Sequence, residues 1–179
     1  MSTLITTNIQ GVQNVKYDAS TTAMTIDSSG RVLQPNLPCW FAERTSSYSS
    51  TTSFVEVVYN NAHINRGNGY NTSNGRFTVP ISGIYQVSWN DIGDTVDTVY
   101  RSRLYVNGNT ASISGSAKRF ERRMEQSGGQ HSPSATQTVY IELTAGQYIS
   151  IFEKRDSGTN TIYADADNVF TYFCGHLIG

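Results

Sequence analysis

The chain has 179 residues, of which 37% are hydrophobic, 11% aromatic and only 15% charged, a length that suits one domain with an attached segment. Thirteen Lys and Arg against 14 Asp and Glu leave a net charge of −1, which excludes the broad basic field of a nucleic-acid-binding surface. No apolar stretch approaches membrane-spanning length, and the N terminus lacks a basic-then-apolar leader pattern, so synthesis in the cytosol or export without a leader is expected.

Residues 1–37 are dominated by Thr, Ser, Asn and Asp, with isolated apolar positions. Within them Ala23 to Val32 reads as a short strand, a turn at Asp27, Ser28 and Gly30, and a second short strand. Two such strands cannot make a core alone, so a stalk or linker segment is expected over 1–37 and a globular domain over 38–179. Pro35 and Pro38 mark the boundary. From Cys39 onward the apolar period is two. Phe54 to Tyr59 is a strand candidate, Asn60 to Gly69 reads as turn, and Arg76 to Val79 is a strand closed by Pro80. Ile84 to Trp89 alternates, with Tyr85, Val87 and Trp89 on one face. Arg101 to Val106 alternates likewise and runs into Asn107-Gly108, a strong hairpin signal. Residues 118–126 carry the one helix-like run, soon broken. Val139, Ile141 and Leu143 share a strand face; Tyr148 to Phe152 and Val169 to Ile178 are the last long strands. The closing apolar run predicts an end laid into a sheet or against another subunit. Nine or ten short strands at regular spacing predict an all-β sandwich or barrel.

Chemistry-bearing residues are sparse. His63, His131 and His176 stand in no zinc-ligand spacing, and no nucleophile elbow, phosphate loop or dinucleotide fingerprint is present, so the chain is read as no enzyme. Asp91, Asp94, Asp97, Asp165 and Asp167 fall in predicted loops. They read as solvated turn carboxylates or as a calcium site built on Asp91, Asp94, Asp165 and Asp167. Trp40, Tyr70, Tyr100 and Tyr163 either fill sheet faces and subunit contacts or line a sugar-binding surface. Lys118, Arg119, Arg122 and Arg123 form a basic cluster interrupted by Glu121 and Glu125, read as a solvated face or an anion patch. Cys39 and Cys174 are too few for a disulfide framework; free buried thiols and a pair between neighbouring first and last strands both stay open.

One resemblance is carried by several motifs in order: Phe54-x-x-Val57-Val58-Tyr59-Asn60, Gly69-Tyr70-Asn71, Asn74-Gly75-Arg76-Phe77, Ser82-Gly83-Ile84-Tyr85-Gln86-Val87-Ser88-Trp89, the 139–149 hairpin, and Phe173-Cys174-Gly175-His176-Leu177-Ile178. Over residues 38–179 the sequence resembles the globular head of the C1q and tumour-necrosis-factor superfamily, with Val87 where that family usually has an aromatic. The resemblance implies a ten-strand jelly-roll sandwich assembled as a trimer. Tyr59, Phe77, Tyr85, Trp89, Phe152, Phe173, His176 and Leu177 are then candidates for its core or three-fold contact. Ala23 to Val32, followed by Pro35 and Pro38, looks like the segment before C-terminal modules of bacteriophage tail-fibre proteins. On that basis a trimeric fibre tip or virion surface protein is expected, made in a bacterial host cytoplasm and carried on the tail fibre or capsid. Its partners would be copies of itself, other virion proteins and a bacterial surface glycan or protein, with no nucleic acid and no membrane insertion. The expected contact surfaces are the loops 91–99, 126–136 and 154–161, and the receptor candidates are Asp94, Asp97, Tyr100, His131, Arg155 and Asn160. The alternative is a capsid decoration or trimerisation module without a ligand.

Overall fold

A computed structural model describes residues 13–16, 19–20, 22–93, 99–110, 120–125, 136–156 and 160–179. The chain divides into two units, Met1–Leu37 and Pro38–Gly179.

The described part of the first unit is a three-stranded antiparallel sheet of Asn14–Lys16, Thr22–Ile26 and Val32–Leu33. Its hairpin turns on Asp27, whose carboxylate accepts the Ser29 and Arg31 amides at 2.9 and 3.0 Å. Gly30 takes the left-handed φ of 78° that completes the turn. The Arg31 guanidinium lies 2.7 Å from the Asp27 carboxylate. Backbone bonds and this ion pair hold the Asp27 carboxyl below the usual range.

The second unit is an all-β sandwich. One sheet orders its strands Gln137–Leu143, Gly83–Asn90, Tyr172–Leu177, Cys39–Glu43 and Asn61–Arg66. The other runs Asn109–Thr110, Val99–Val106, Tyr148–Arg155, Arg76–Thr78 and Tyr70–Asn71, with Glu121–Glu125 paired to Val99–Val106 and Val55–Glu56 paired to Tyr148–Arg155. A small third sheet joins Ile92–Gly93, Asn160–Tyr163 and Tyr48–Ser50. All pairings are antiparallel. Asn107 and Gly108, both at positive φ, close the predicted hairpin. Asn60 to Gly69 departs from the expected turn: Asn61–Arg66 is an edge strand, admitted by its pairing to Cys39–Glu43 despite a polar sequence. The short helix-like run likewise resolves as the strand Glu121–Glu125.

The core forms where the two sheets face each other. Tyr85, Val87 and Trp89 point inward from one sheet, Leu104, Ile149 and Ile151 from the other, all fully buried. Trp40 stacks on Phe77 with ring centroids 3.8 Å apart, and Phe173 sits among Trp40, Tyr59 and Tyr70 at 5.2, 5.7 and 6.1 Å. These apolar-aromatic contacts remove the large side chains from water, at about 25 cal/mol per Å² of apolar area. Gly175 makes the packing possible. A Cβ there would stand 2.3 Å from the Trp40 ring and 2.6 Å from the Gln86 carbonyl oxygen. Gly175→Ala is therefore expected to overpack the core and cost about 1–3 kcal/mol, read as a lowered thermal midpoint.

Candidate functional site: the outward face of the five-stranded sheet

Strand alternation puts a second set of side chains on the opposite side of the five-stranded sheet. Ile84, Gln86 and Ser88 lie there, flanked in register by Glu142, Tyr140 and Thr138 on one side and by His176 and Cys174 on the other. Next come Cys39 and Phe41, which pair with His176 and Cys174, and then Ile64, which pairs with Phe41. A register shift between Phe41 and Ala42 leaves His63 as the extra residue of a bulge.

Apolar and aromatic side chains spread across this face from one outer strand to the other, with Gln86, Ser88 and His176 among them. Phe41 contacts both His63 and Tyr172, with centroids 5.7 Å away in each case. Tyr140 is 62% exposed, and Ile84 and Ile64 are each 48% exposed. Polar groups on the face are paired among themselves. The Ser88 and Thr138 hydroxyls lie 2.8 Å apart, and those of Thr136 and Tyr172 lie 2.7 Å apart. At the rim the Glu43 carboxylate meets His63 Nε2 at 2.6 Å and accepts the Asn61 amide at 2.9 Å. Cys39 and Cys174 are free thiols. They occupy a diagonal of adjacent strands, since Cys39 pairs with His176 and Cys174 with Phe41. Diagonal neighbours stand about 7–8 Å apart, beyond the usual span of a disulfide. Burial pushes the Cys174 thiol up to about 11, so it is protonated at neutral pH and a poor nucleophile.

A different polar cluster is sealed inside the sandwich. Asp91 and Glu153 are both fully buried. The Tyr59 hydroxyl donates to the Asp91 carboxylate at 2.8 Å, and Arg122 Nη1 donates to the Asp91 main-chain carbonyl at 2.8 Å. The same nitrogen lies 3.9 Å from the Asp91 carboxylate. The Tyr100 hydroxyl donates to Glu153. Trp89 Nε1 donates to Ser102 Oγ at 2.8 Å. Loss of hydration pushes Glu153 up to about 8, reinforced by the negative charge of Asp91 and opposed by the hydroxyls of Tyr100 and Tyr48 and the charge of Arg44. Asp91 moves in the same direction for the same first reason, opposed by Arg122 and by the Tyr59 and Ser102 hydroxyls. Tyr48, Tyr59 and Tyr100 are all raised by burial. Sealed from solvent, the cluster can hold protons and tie strands together but cannot meet a substrate.

The residues singled out from the sequence scatter across these environments. Tyr59, Phe77, Tyr85, Trp89, Phe173 and Leu177 are interior. Phe152 lies outside, on the far sheet, stacked on Tyr105 at 4.0 Å, with the Arg103 guanidinium 4.1 Å from the ring of neighbouring Phe54. Of that set His176 alone lies on the outward face described here. Among the receptor candidates, Tyr100 is a core residue, removed from any surface by its bond to Glu153. Arg155 is half-buried at the end of its strand, and Asn160 opens the strand that pairs with Tyr48–Ser50. Asp94, Asp97 and His131 lie outside the described residues. The four carboxylates considered for calcium include Asp94 and do not share one described environment. Asp91 is enclosed beside the cationic Arg122. Asp165 is spent on a local turn, accepting the Asp167 amide at 2.7 Å and the Tyr163 hydroxyl at 3.2 Å. Among the described residues no group of three or more His, Cys, Asp or Glu side chains is placed to hold a metal ion. Arg122, expected on a basic surface, has a 5% exposed side chain inside the sandwich. The sequence did carry a signal for the interior acid: Glu153 is in phase with Ile149 and Ile151.

Comparison with known proteins gives a consistent match. The family model described as "C1q domain" matches residues 39–178. A rat protein, "Complement C1q tumor necrosis factor-related protein 6", is 25% identical over 135 residues, covering 75% of this chain. The chain spans 47% of that relative's length. Among solved structures, murine APRIL superposes with a TM-score of 0.58 at 13% identity, covering 79% of this chain and 99% of that one. The globular domain of zebrafish complement 1qA gives 0.56 at 14% identity, covering 80% and 98%. These matches correct the reading of the chain as a bacteriophage protein. The similarity runs to animal complement and tumour-necrosis-factor-type proteins, not to phage fibres. The expected virion location, virion partners, bacterial receptor and fibre-tip role fall with it. The short strand-turn-strand of 23–32 was too brief and too generic to carry that inference.

Proposed function

The chain belongs to the C1q domain family, and from that premise we propose that residues 38–179 are a receptor-engaging ligand or structural domain, a jelly roll that works as a homotrimer. The domain is not an enzyme. What supports the trimer is the outward face of the five-stranded sheet: Phe41, Ile64, Ile84 and Tyr140 form an apolar surface that the subunit itself leaves uncovered. Charged groups stand at its margin, in the manner of a surface whose centre is desolvated by a partner. The occupant assigned to it is a second copy of the chain: two different parts of the face, one from each copy, meet head to tail, and such a contact repeated by a rotation that closes makes a ring of three.

Native mass measurement of the full chain at micromolar concentration tests this directly. Three chains are expected; a single-chain mass would overturn it. Ile84→Glu with Tyr140→Glu places two charges at the seam and is expected to give single chains whose far-ultraviolet circular dichroism is unchanged. Receptor engagement has its own readout. Labelled protein should bind receptor-bearing animal cells saturably, and the single-chain variant should bind at least ten-fold more weakly through lost multivalency.

A further inference from the structure

We infer that the N-terminal sheet is a second self-association element, in which the face carrying Val15, Met24, Ile26 and Val32 packs against the same face of the other copies. The inference rests on the trimer reading above. Register makes the face. Val15 lies opposite Met24 and Ile26 opposite Val32, and Met24 and Ile26 are two apart on one strand, so all four project to one side. The other side is more polar: Asn14, Thr25 and Leu33 align across it, with the Thr25 hydroxyl 2.9 Å from Asn14 Oδ1.

Nothing in this sheet is buried: every described residue from 13 to 37 is exposed or intermediate. Val32 and Val15 are 58% and 39% exposed. Strands of three, five and two residues need a covered apolar face to persist. Asp27 and Arg31 neutralise each other at the turn, and Lys16 stands at the far end of its strand, past the register shift, with its Nζ donating to the Ala19 carbonyl at 3.2 Å. The occupant follows from the tether. Pro38 leads directly into Cys39–Glu43, a strand of the sheet whose outward face is the proposed seam. Three copies joined through their head domains hold three tethered N-terminal segments at high effective concentration, so a surface too small to associate alone is brought within reach of its own kind.

Site-directed thiol cross-linking of the full chain tests this, with Cys39→Ser and Cys174→Ser as the background. Under a short bismaleimide, Ile26→Cys should yield covalent dimers at least ten-fold faster than Thr25→Cys on the opposite side. A companion variant, Ile26→Asp with Val32→Asp, should raise the concentration at which the trimer dissociates by ten-fold or more while leaving head-domain circular dichroism unchanged. Equal cross-linking rates, or an unshifted dissociation curve, in a protein whose native mass is three chains would overturn this inference and leave the head trimer standing. A native mass of one chain would remove both.

Discussion

Truncating Phe173 to alanine is expected to destabilise the head domain by about 3–5 kcal/mol, the range for emptying an aromatic core site. The ring is fully buried and touches Trp40, Tyr59 and Tyr70, which come from three separate segments of the chain. No single neighbour can collapse into the space without disturbing the Trp40–Phe77 stack. Net stabilities of such domains are about 5–15 kcal/mol, so the loss is comparable with the whole. Urea unfolding should show a large fall in midpoint with an unchanged slope. His176→Ala, three positions on and exposed, should shift the stability of the isolated subunit by less than about 0.5 kcal/mol. Equal effects at the two positions would contradict the packing described.

The second large effect concerns pH. Folded Glu153 gives up its proton near pH 8, whereas a glutamate in an unfolded chain does so near about 4.3. Between those values the folded protein binds more protons than the unfolded one. The contribution of this group to stability is therefore full only below about pH 4.3 and is lost progressively as pH rises from there to about 8, with a slope of up to about 1.4 kcal/mol per pH unit. Asp91, raised by the same burial, tilts the curve in the same direction. Glu153→Gln keeps an acceptor for the Tyr100 hydroxyl while removing the ionisation. Its thermal midpoint should vary less between pH 5.5 and 8.5 than that of the parent protein and exceed it at the alkaline end. Parallel curves would show that the carboxyl is already ionised in the folded state.

The fold was largely written in side-chain alternation. Tyr85, Val87 and Trp89, and Ile149 and Ile151, occupy the interior as their period of two requires. Asn107-Gly108 marked its hairpin because a tight turn of that kind demands positive φ at both positions. What stayed hidden depends on neighbours distant in sequence. Asn61–Arg66 has a turn-like composition and becomes a strand only because Cys39–Glu43 offers it a partner. Arg122 looked solvated because its charged neighbours in sequence did; only the fold brings the Asp91 carbonyl to it. Tyr100 reads from sequence either as a sheet-face residue or as part of a binding surface; its parity with Ser102 and Leu104, both buried, is what puts it inside. The outward face could not be recognised from composition, since its residues alternate one by one with those of the core.

The position of Tyr172–Leu177 has a bearing on biosynthesis. This strand lies between Gly83–Asn90 and Cys39–Glu43, and at its end the Ile178 amide donates to the Ile84 carbonyl while the Ile84 amide donates to the Gly179 carbonyl. Until the ribosome has delivered it, two strands made much earlier must wait with unpaired edges on either side of a gap. Closure therefore waits until Tyr172–Leu177 has been made, and a nascent chain halted before residue 172 would present sticky β edges to chaperones rather than a half-built sandwich.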